Sequence, residues 1–506
     1  MMHRIFGHMR RFLRPGLALC AGGLLAHGAA GQGWWTSILG LALLLGILRD
    51  QEFRSRLLVM VLATSMWFGI HVSWMRMLGT DAWLLLVILC VIPWLLLAVI
   101  SLPQRGLRLY LLPTSAIVLI EWLHDNLPWG GFPWGNIAYS QLDGPFANLA
   151  QVGGQSLVTA TSCLVAVAVL QVVENRRILS GFAICAVLLL ASHFARQGSH
   201  SPVSESVNVA VVQGGPVGQK SDAGTEQWQV FNSHIAQTEA LARDIESGRV
   251  ASPEVIVWPE NSTDVDPLNN VAAYQRLSAL SKRIQVPILI GGVTWQNRPF
   301  GPRNAGILWQ PGAGPSQMYA KTHLVPFGEY IPFRKFLSRH IRRFKQIPSD
   351  FIPGNQPGIF ELRGRTFGDV ICFEIAYESH LVDLVRKGAT FLTLQTNNAT
   401  YQGTDQSAQQ LAIARFRAIE HRRSVAMAST TGSSTLINDS GEVVATVGQE
   451  RSGYATGMLP SVSTVTFTDR HPHWVLTISL WIVILAGLKR IRKNRRVDQI
   501  SHRLSS

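Results

Sequence analysis

Charged side chains are scarce in this chain of 506 residues: Asp, Glu, Lys and Arg make up only 15% of it, where a soluble protein of this length carries about a quarter. With 47% hydrophobic residues and 15 tryptophans, that shortage excludes an ordinary soluble protein. Cysteine is scarce as well. Four of the five, Cys20, Cys90, Cys163 and Cys185, lie inside long apolar runs, so Cys372 has no partner in its own segment and an intradomain disulfide is excluded. The Cys and His residues show no ligand-spaced cluster, so no metal is expected. Internal repeats and low-complexity tracts are also absent. The net charge of +14 is no nucleic-acid footprint, because residues 197–472 hold 25 basic and 23 acidic side chains; the excess lies outside that block, where it orients helices and meets anionic lipid.

The apolar residues gather at the two ends of the chain. Spans are expected near 16–31, 33–48, 57–78, 82–102, 107–124, 153–173 and 178–195, with a last one near 473–488; several sit at or just below the usual spanning length of about 17–25 residues. A cleaved signal peptide is the other reading of 16–31, but Trp34-Trp35 and a further apolar run follow too closely for a released domain. Arginines flank alternate connections: Arg4, Arg10, Arg11 and Arg14, then Arg49, Arg54 and Arg56, then Arg105 and Arg108, then Arg176 and Arg177. Six more basic residues run from Lys489 to Arg496. The remaining connections hold only Arg76 and Arg196 near their ends. This positive-inside pattern predicts both termini in the cytoplasm and the segment after the seventh span outside. Residues 1–196 thus read as a seven-span bundle, 197–472 as an extracytoplasmic domain, and 473–506 as a last span with a basic tail. The loop Leu127–Gly135, with Trp129, Phe132 and Trp134, is either an interfacial aromatic belt or a lip for lipid. Glu121 is either a snorkelling acid or part of a polar site.

The outer block alternates short β-rich runs with helices. Strands are expected at 207–212, 254–258, 287–293, 368–372, 390–394, 425–429, 434–438 and 443–447, and helices at 232–247, 271–284 and 407–421, which indicates an α/β layered domain with active residues at strand ends. Three polar groups stand at such ends. Glu260 follows a buried strand stopped by Pro259, Lys321 lies in Met318–Glu329, and Cys372 closes Phe367–Cys372 at a sharp turn into a helix. Taken alone, Glu260 or Lys321 reads as a surface charge, and Cys372 as either a buried thiol or a nucleophile. Together they supply a base, a cation and a thiol, the set that acyl transfer needs: the carboxylate takes the thiol proton, and the ammonium meets the oxyanion. Between the last two, Phe333–Gln346 mixes six basic residues with Phe336, Leu337, Ile341 and Phe344. It reads as an arm at the bilayer surface, or as a surface helix packed on the domain.

Trp258-Pro-Glu-Asn261, Lys321 with Pro326–Glu329, and Ile371-Cys-Phe-Glu374 resemble the Glu–Lys–Cys signature of the nitrilase superfamily. With the flanking spans, the chain resembles its membrane-embedded branch, the bacterial apolipoprotein N-acyltransferases, over nearly its whole length. The resemblance implies an αββα sandwich on a bundle of about eight spans in the bacterial cytoplasmic membrane, with Glu260 as general base, Lys321 as oxyanion stabiliser and Cys372 as nucleophile. Glu329 and Glu374 would orient the lysine and the reacting groups, and Trp228 and Phe373 would touch substrate. It also implies ping-pong transfer of a fatty acyl chain from a membrane phospholipid, through a Cys372 thioester, to the α-amino group of a diacylglyceryl-cysteine lipoprotein. That reaction needs no organic cofactor and no nucleic acid, and a monomer suffices. The sequence departs from the family at Phe373, where Tyr is common, and at Asn397–Tyr401, which puts donor or acceptor preference in doubt. The same motifs permit a membrane-anchored amidase with water as acceptor; a transporter or silent scaffold is the reading from another class.

Overall fold

The computed structural model describes all residues except 1, 32, 50, 104–105, 175–177, 199–204, 217–222, 298, 341–348 and 505–506. It falls into two compact units, Met1–Gly198 with Arg470–Ser506, and Ser199–Asp469.

The first unit is helical: α1 (Met2–Ala29), α2 (Trp34–Leu48), α3 (Phe53–His71), α4 (Thr80–Trp94), α5 (Arg108–Asn126), α6 (Ala150–Val173) and α7 (Ile178–Gly198). Small residues let these helices approach closely; a Cβ on Gly22 of α1 would lie 2.1 Å from the Ala63 carbonyl of α3. By length and composition, three described helices suffice to cross a membrane: Phe53–His71, Thr80–Val99 and Ala147–Val173. Glu121 is buried and belongs to a polar site. Its carboxylate accepts the Ile137 N–H (2.8 Å) and the Thr159 hydroxyl (2.6 Å). One turn on, Asp125 accepts from Asn136 (2.7 Å) and Gln155 (2.8 Å). Together the two acids pin the 127–137 loop to α5 and α6. Trp134 is buried with its ring edge-on to Trp74 (6.0 Å), so it packs inside the bundle, while Trp129 stays exposed.

The second unit runs β1 (Glu205–Gln213), α8 (Ala223–Glu246), β2 (Val255–Val257), α9 (Val271–Ile284), β3 (Ile288–Asn297), β4 (Phe300–Gln310), β5 (Gly314–Ala320), α10 (Arg334–His340), β6 (Ile359–Leu362), β7 (Arg365–Ile371), α11 (Glu378–Arg386), β8 (Leu392–Thr396), α12 (Gln406–His421), β9 (Val425–Ser429), β10 (Ser434–Ile437), β11 (Val443–Val447), β12 (Gly453–Ser461) and α13 (Phe467–Arg470). The last helix, α14 (Trp474–Leu504), rejoins the first unit, where the Trp474 indole donates to the Val152 carbonyl (2.9 Å).

The strands form two six-stranded sheets, ordered β12-β1-β2-β3-β4-β5 and β11-β10-β9-β8-β7-β6. Side-chain alternation along each strand explains the layering. Val207, Val209 and Val211 of β1 face inward with Val255, Val257 and Leu289, and share one core with Phe360, Phe367, Ile371, Ala426 and Leu436 of the other sheet. Ala210, Val212, Ile256 and Trp258 point the other way, onto Phe231, Ile235, Leu241, Ala273 and Leu277 of α8 and α9. On the second sheet α11 and α12 take that place; Gly368 of β7 lies directly under Leu384. Each fully buried aliphatic side chain contributes about 1.5–3 kcal/mol, which makes the paired sheets the stable frame for the strand ends. The domain is a nitrilase-like α/β sandwich.

The expected helix at 271–284 matches α9 residue for residue. Asn270 caps it by accepting the Ala273 N–H (3.1 Å), and Gln285 ends it in the left-handed region. Four strands, β4, β5, β6 and β12, were not expected. Gly301, Pro302 and Gly306 argue against a strand at β4, yet β4 pairs with β3 from Phe300 to Trp309. Gly306 is needed because the facing sheet comes close: a Cβ there would sit 2.2 Å from an Asp369 carboxylate oxygen. Of the expected arm at 333–346, residues 341–346 lie outside the described residues; in the described part Phe333 and Phe336 are exposed, 71% and 63%.

Candidate active site

Three strand ends converge on one cluster. Glu260 follows β2 and Lys321 follows β5, both in the first sheet, while Cys372 follows β7 in the second. The Lys321 ammonium, 2% exposed, donates to Glu260 (3.2 Å) and to Glu329 (3.0 Å). Asn304 of β4 ties the same two carboxylates together, at 2.7 Å to Glu260 and 2.9 Å to Glu329. The second oxygen of Glu260 accepts the Asn397 N–H (2.9 Å), and that of Glu329 accepts the Val325 N–H (2.8 Å). Burial alone would lower the Lys321 pKa, but Glu260 and Glu329, with Cys372 and Glu374 behind them, raise it well above the ordinary lysine value. The group is therefore a fixed cation held between two acids.

Cys372 opens a single 3-10 turn, Cys372–Ala376, with φ of +54°. A non-glycine residue in the left-handed region costs on the order of 1–3 kcal/mol unless its surroundings hold it there. Glu374 is what holds it. Fully buried, its carboxylate accepts from five donors: the Tyr319 hydroxyl (2.8 Å), the Thr322 N–H (2.8 Å) and hydroxyl (3.0 Å), the His323 N–H (2.9 Å) and the Ile371 N–H (3.0 Å). Burial opposes its ionisation, but His380, the bonds from His323 and the nearby Lys321 outweigh it and hold the carboxyl below the usual range. Glu374 thus locks the strand that ends in Lys321 to the turn that carries Cys372. Four of those donors come from Tyr319–His323, the segment around Lys321, and one from Ile371, next to Cys372. The half-buried sulfur accepts from the Thr396 hydroxyl (3.4 Å) and the Gln410 amide (3.8 Å). Burial, then Glu260, push its thiol up to about 12 against the pull of Lys321 and Thr396. At rest it is a thiol, so attack needs a base at hand.

Tyr401, from the segment that departs from the family, belongs to this neighbourhood. Burial, then Cys372 and Glu260, push its phenol up to about 12. Phe373 is half-buried, its ring edge-on to Tyr377 (5.4 Å), which stacks on His323 (4.6 Å). Trp228 lies on α8 with its ring edge-on to Phe231 (5.6 Å), and so packs on the helix-facing core. His323, Glu374 and His380 bring one ligand atom each within 4.8 Å of one another. The Glu374 lone pairs are already taken by its five donors, so the trio serves as an anchor and fits a cation poorly. Sequence reasoning missed Asn304, Tyr319, Thr396 and Gln410. The first two lie on unexpected strands; Thr396 directly precedes the Asn397–Tyr401 segment without belonging to it, and Gln410 is an ordinary polar side chain on a helix.

Residues 21–168 match the family model for the apolipoprotein N-acyltransferase N-terminal domain, and residues 208–467 match that for carbon-nitrogen hydrolases. The chain is similar to the apolipoprotein N-acyltransferase of Mycolicibacterium smegmatis, at 33% identity over 61% of this chain and 55% of that protein. It is 30% identical to the Azotobacter vinelandii enzyme of the same name over 72% of this chain and 70% of that protein, and 26% identical to the Vibrio cholerae one over 98% and 100%. A helical membrane unit and a carbon-nitrogen hydrolase sandwich in one polypeptide, matched at this identity, place the chain in the apolipoprotein N-acyltransferase family.

Proposed function

We propose that this chain transfers a fatty acyl group from a membrane phospholipid to the α-amino group of a diacylglyceryl-cysteine lipoprotein, with Glu260, Lys321 and Cys372 as its catalytic residues. The observation that carries the reading is the buried Glu260–Lys321–Glu329 cluster beside a cysteine held at a strained turn. In the first half-reaction Glu260 takes the Cys372 proton as the sulfur attacks the ester carbonyl. Lys321 meets the charge that develops on the carbonyl oxygen. The C–O bond breaks, Glu260 returns the proton to the departing lysophospholipid, and a thioester remains on Cys372. In the second, the lipoprotein amine attacks that thioester, gives its proton to Glu260 and expels the sulfur. Asn304 and Glu329 keep the base and the cation in register throughout. Phe373 and Trp228 are proposed to border the substrates.

The apolar helices favour lipid substrates over a soluble amide, since both partners arrive laterally in the bilayer. We extend the three helices of spanning length to about eight spans, with both termini cytoplasmic, on the strength of the alternating arginine clusters. Incubating the purified chain, as a monomer in detergent, with acyl-labelled phospholipid tests the reading. Label should appear on Cys372, and move to a diacylated lipopeptide only when that peptide is added. Release of free fatty acid in its absence, at the same rate, would make water the acceptor and the chain an amidase.

A further inference from the structure

Thr396, at the end of β8, and Gln410, on α12, are both fully buried beneath the sulfur of Cys372. A threonine hydroxyl has one proton to give, and here two acceptors compete for it: the Gln410 carbonyl oxygen at 2.9 Å and the Cys372 sulfur at 3.4 Å. The same Gln410 oxygen also accepts from the Asn398 amide at 2.8 Å. It therefore stays satisfied when the hydroxyl turns away. With its oxygen fixed by those donors, the Gln410 amide nitrogen is the end that faces the sulfur, at 3.8 Å. Asn398 is held in turn by Gln406 (2.7 Å) and Ser429 (2.6 Å), so the arrangement cannot easily collapse.

We infer that Thr396 is a further catalytic residue, a hydroxyl rotor that donates to Gln410 while Cys372 is a thiol and swings its proton to the sulfur whenever the sulfur carries negative charge, with the Gln410 amide as the second donor. The inference rests on Cys372 being the nucleophile. Its largest effect falls on the second half-reaction. There the amine nitrogen bonds to the thioester carbon, the amine proton passes to Glu260, and the C–S bond breaks with its electron pair going to sulfur. The thiolate that leaves accepts the Thr396 proton as a hydrogen bond until Glu260 returns a full proton to it. In the first half-reaction the same donors support the attacking sulfur as its proton moves to Glu260. Lys321 serves the carbonyl oxygen, and Thr396 with Gln410 serves the sulfur. The two charges of the reaction thus have separate partners.

The test is the pH dependence of Cys372 alkylation by iodoacetamide in the full chain, read by mass spectrometry on the Cys372 peptide. The other ionisable groups facing the sulfur are Glu260, Lys321, Glu329 and Tyr401, and the variants leave all four in place. Thr396→Val should shift the alkylation profile to higher pH and slow thioester transfer to a lipopeptide about tenfold or more, since hydrogen bonds to charged groups are among the stronger ones. Its KM for phospholipid should not change. Thr396→Ser should restore both, and Gln410→Met should give a smaller shift in the same direction. A Thr396→Val profile superimposable on that of the parent would overturn the rotor. So would a rate loss in Thr396→Val that Thr396→Ser does not rescue. If Thr396→Val fails to fold, Gln410→Met and Thr396→Ser decide: a parental profile in Gln410→Met refutes the inference, and a shifted one supports it. Failure of Cys372 to take label from phospholipid would instead remove the nucleophile reading beneath it, an outcome the alkylation profile does not mimic.

Discussion

Replacing Glu374 by glutamine changes one atom, and the structure says what that atom does. The carboxylate has no donor of its own and faces five. Whichever way the glutamine amide is turned, its NH2 points at an N–H or O–H that had been donating. The less damaging orientation puts it toward Ile371, leaving that buried N–H without an acceptor. An orphaned buried donor costs about 1–3 kcal/mol, and the remaining bonds weaken because they lose a charged acceptor. A total near 3 kcal/mol follows, which for a domain of this size lowers Tm by roughly 6–12 °C. It also releases the turn that keeps Cys372 at positive φ, so thioester formation should fall further than stability. The assays are thermal unfolding by tryptophan fluorescence in detergent and single-turnover thioester formation from labelled phospholipid. Tyr319→Phe is the control: it removes one donor and leaves the charge, and should cost about 1 kcal/mol. If Glu374→Gln melts within 2 °C of the parent and forms thioester at the parental rate, the argument that Glu374 holds the nucleophile turn is refuted.

Cys372→Ala should abolish thioester formation and transfer, and Cys372→Ser should leave at most a trace; mass spectrometry of the intact chain after phospholipid exposure checks both. Glu260→Gln and Lys321→Met should reach the membrane at near-parental levels with turnover reduced by orders of magnitude. Loss of expression in both, with turnover per folded molecule intact, would make them structural. Phe336→Ser should slow acylation by bilayer phospholipid more than acylation by a short water-soluble thioester, because that ring is exposed beside basic residues; equal slowing with both donors would count against an arm at the membrane. His421 is buried between Asp469 (2.7 Å) and Glu420 (3.2 Å). Burial would lower its pKa, yet Asp469 and Glu420 raise it to about 9. The folded chain therefore holds this proton more tightly than the unfolded one. The stabilisation is complete below the ordinary histidine value of about 6.5 and is lost as pH climbs through 9. Melting points of the parent should fall across that window, and His421→Gln should flatten the slope; a parallel fall in the variant would assign the effect elsewhere.

Much of this protein was legible in one dimension because it rests on local rules. The apolar ends, the nitrilase signature around Glu260, Lys321 and Cys372, and the bounds of α9 each follow from composition, strand-end position or a capping residue within a few positions of one another. Glu329 could be named because it stands at an accessory acidic position of the family, eight positions after Lys321. What the sequence alone could not supply depends on close approach between distant strands. β4 was hidden because Gly301, Pro302 and Gly306 argue locally against a strand, and only the facing Asp369 explains why position 306 must lack a side chain. With β4 hidden, Asn304 was invisible, although it joins the two acids on either side of Lys321. Glu374 could be read as a family acid but not as the acceptor of five donors drawn from two sheets. Thr396 and Gln410 likewise become chemical only when β8 and α12 are folded against the same sulfur. Residue types and short spacings determine which groups are available; the tertiary structure decides which of them meet, because hydrogen bonds form at about 3 Å and chain separation in sequence sets no such distance.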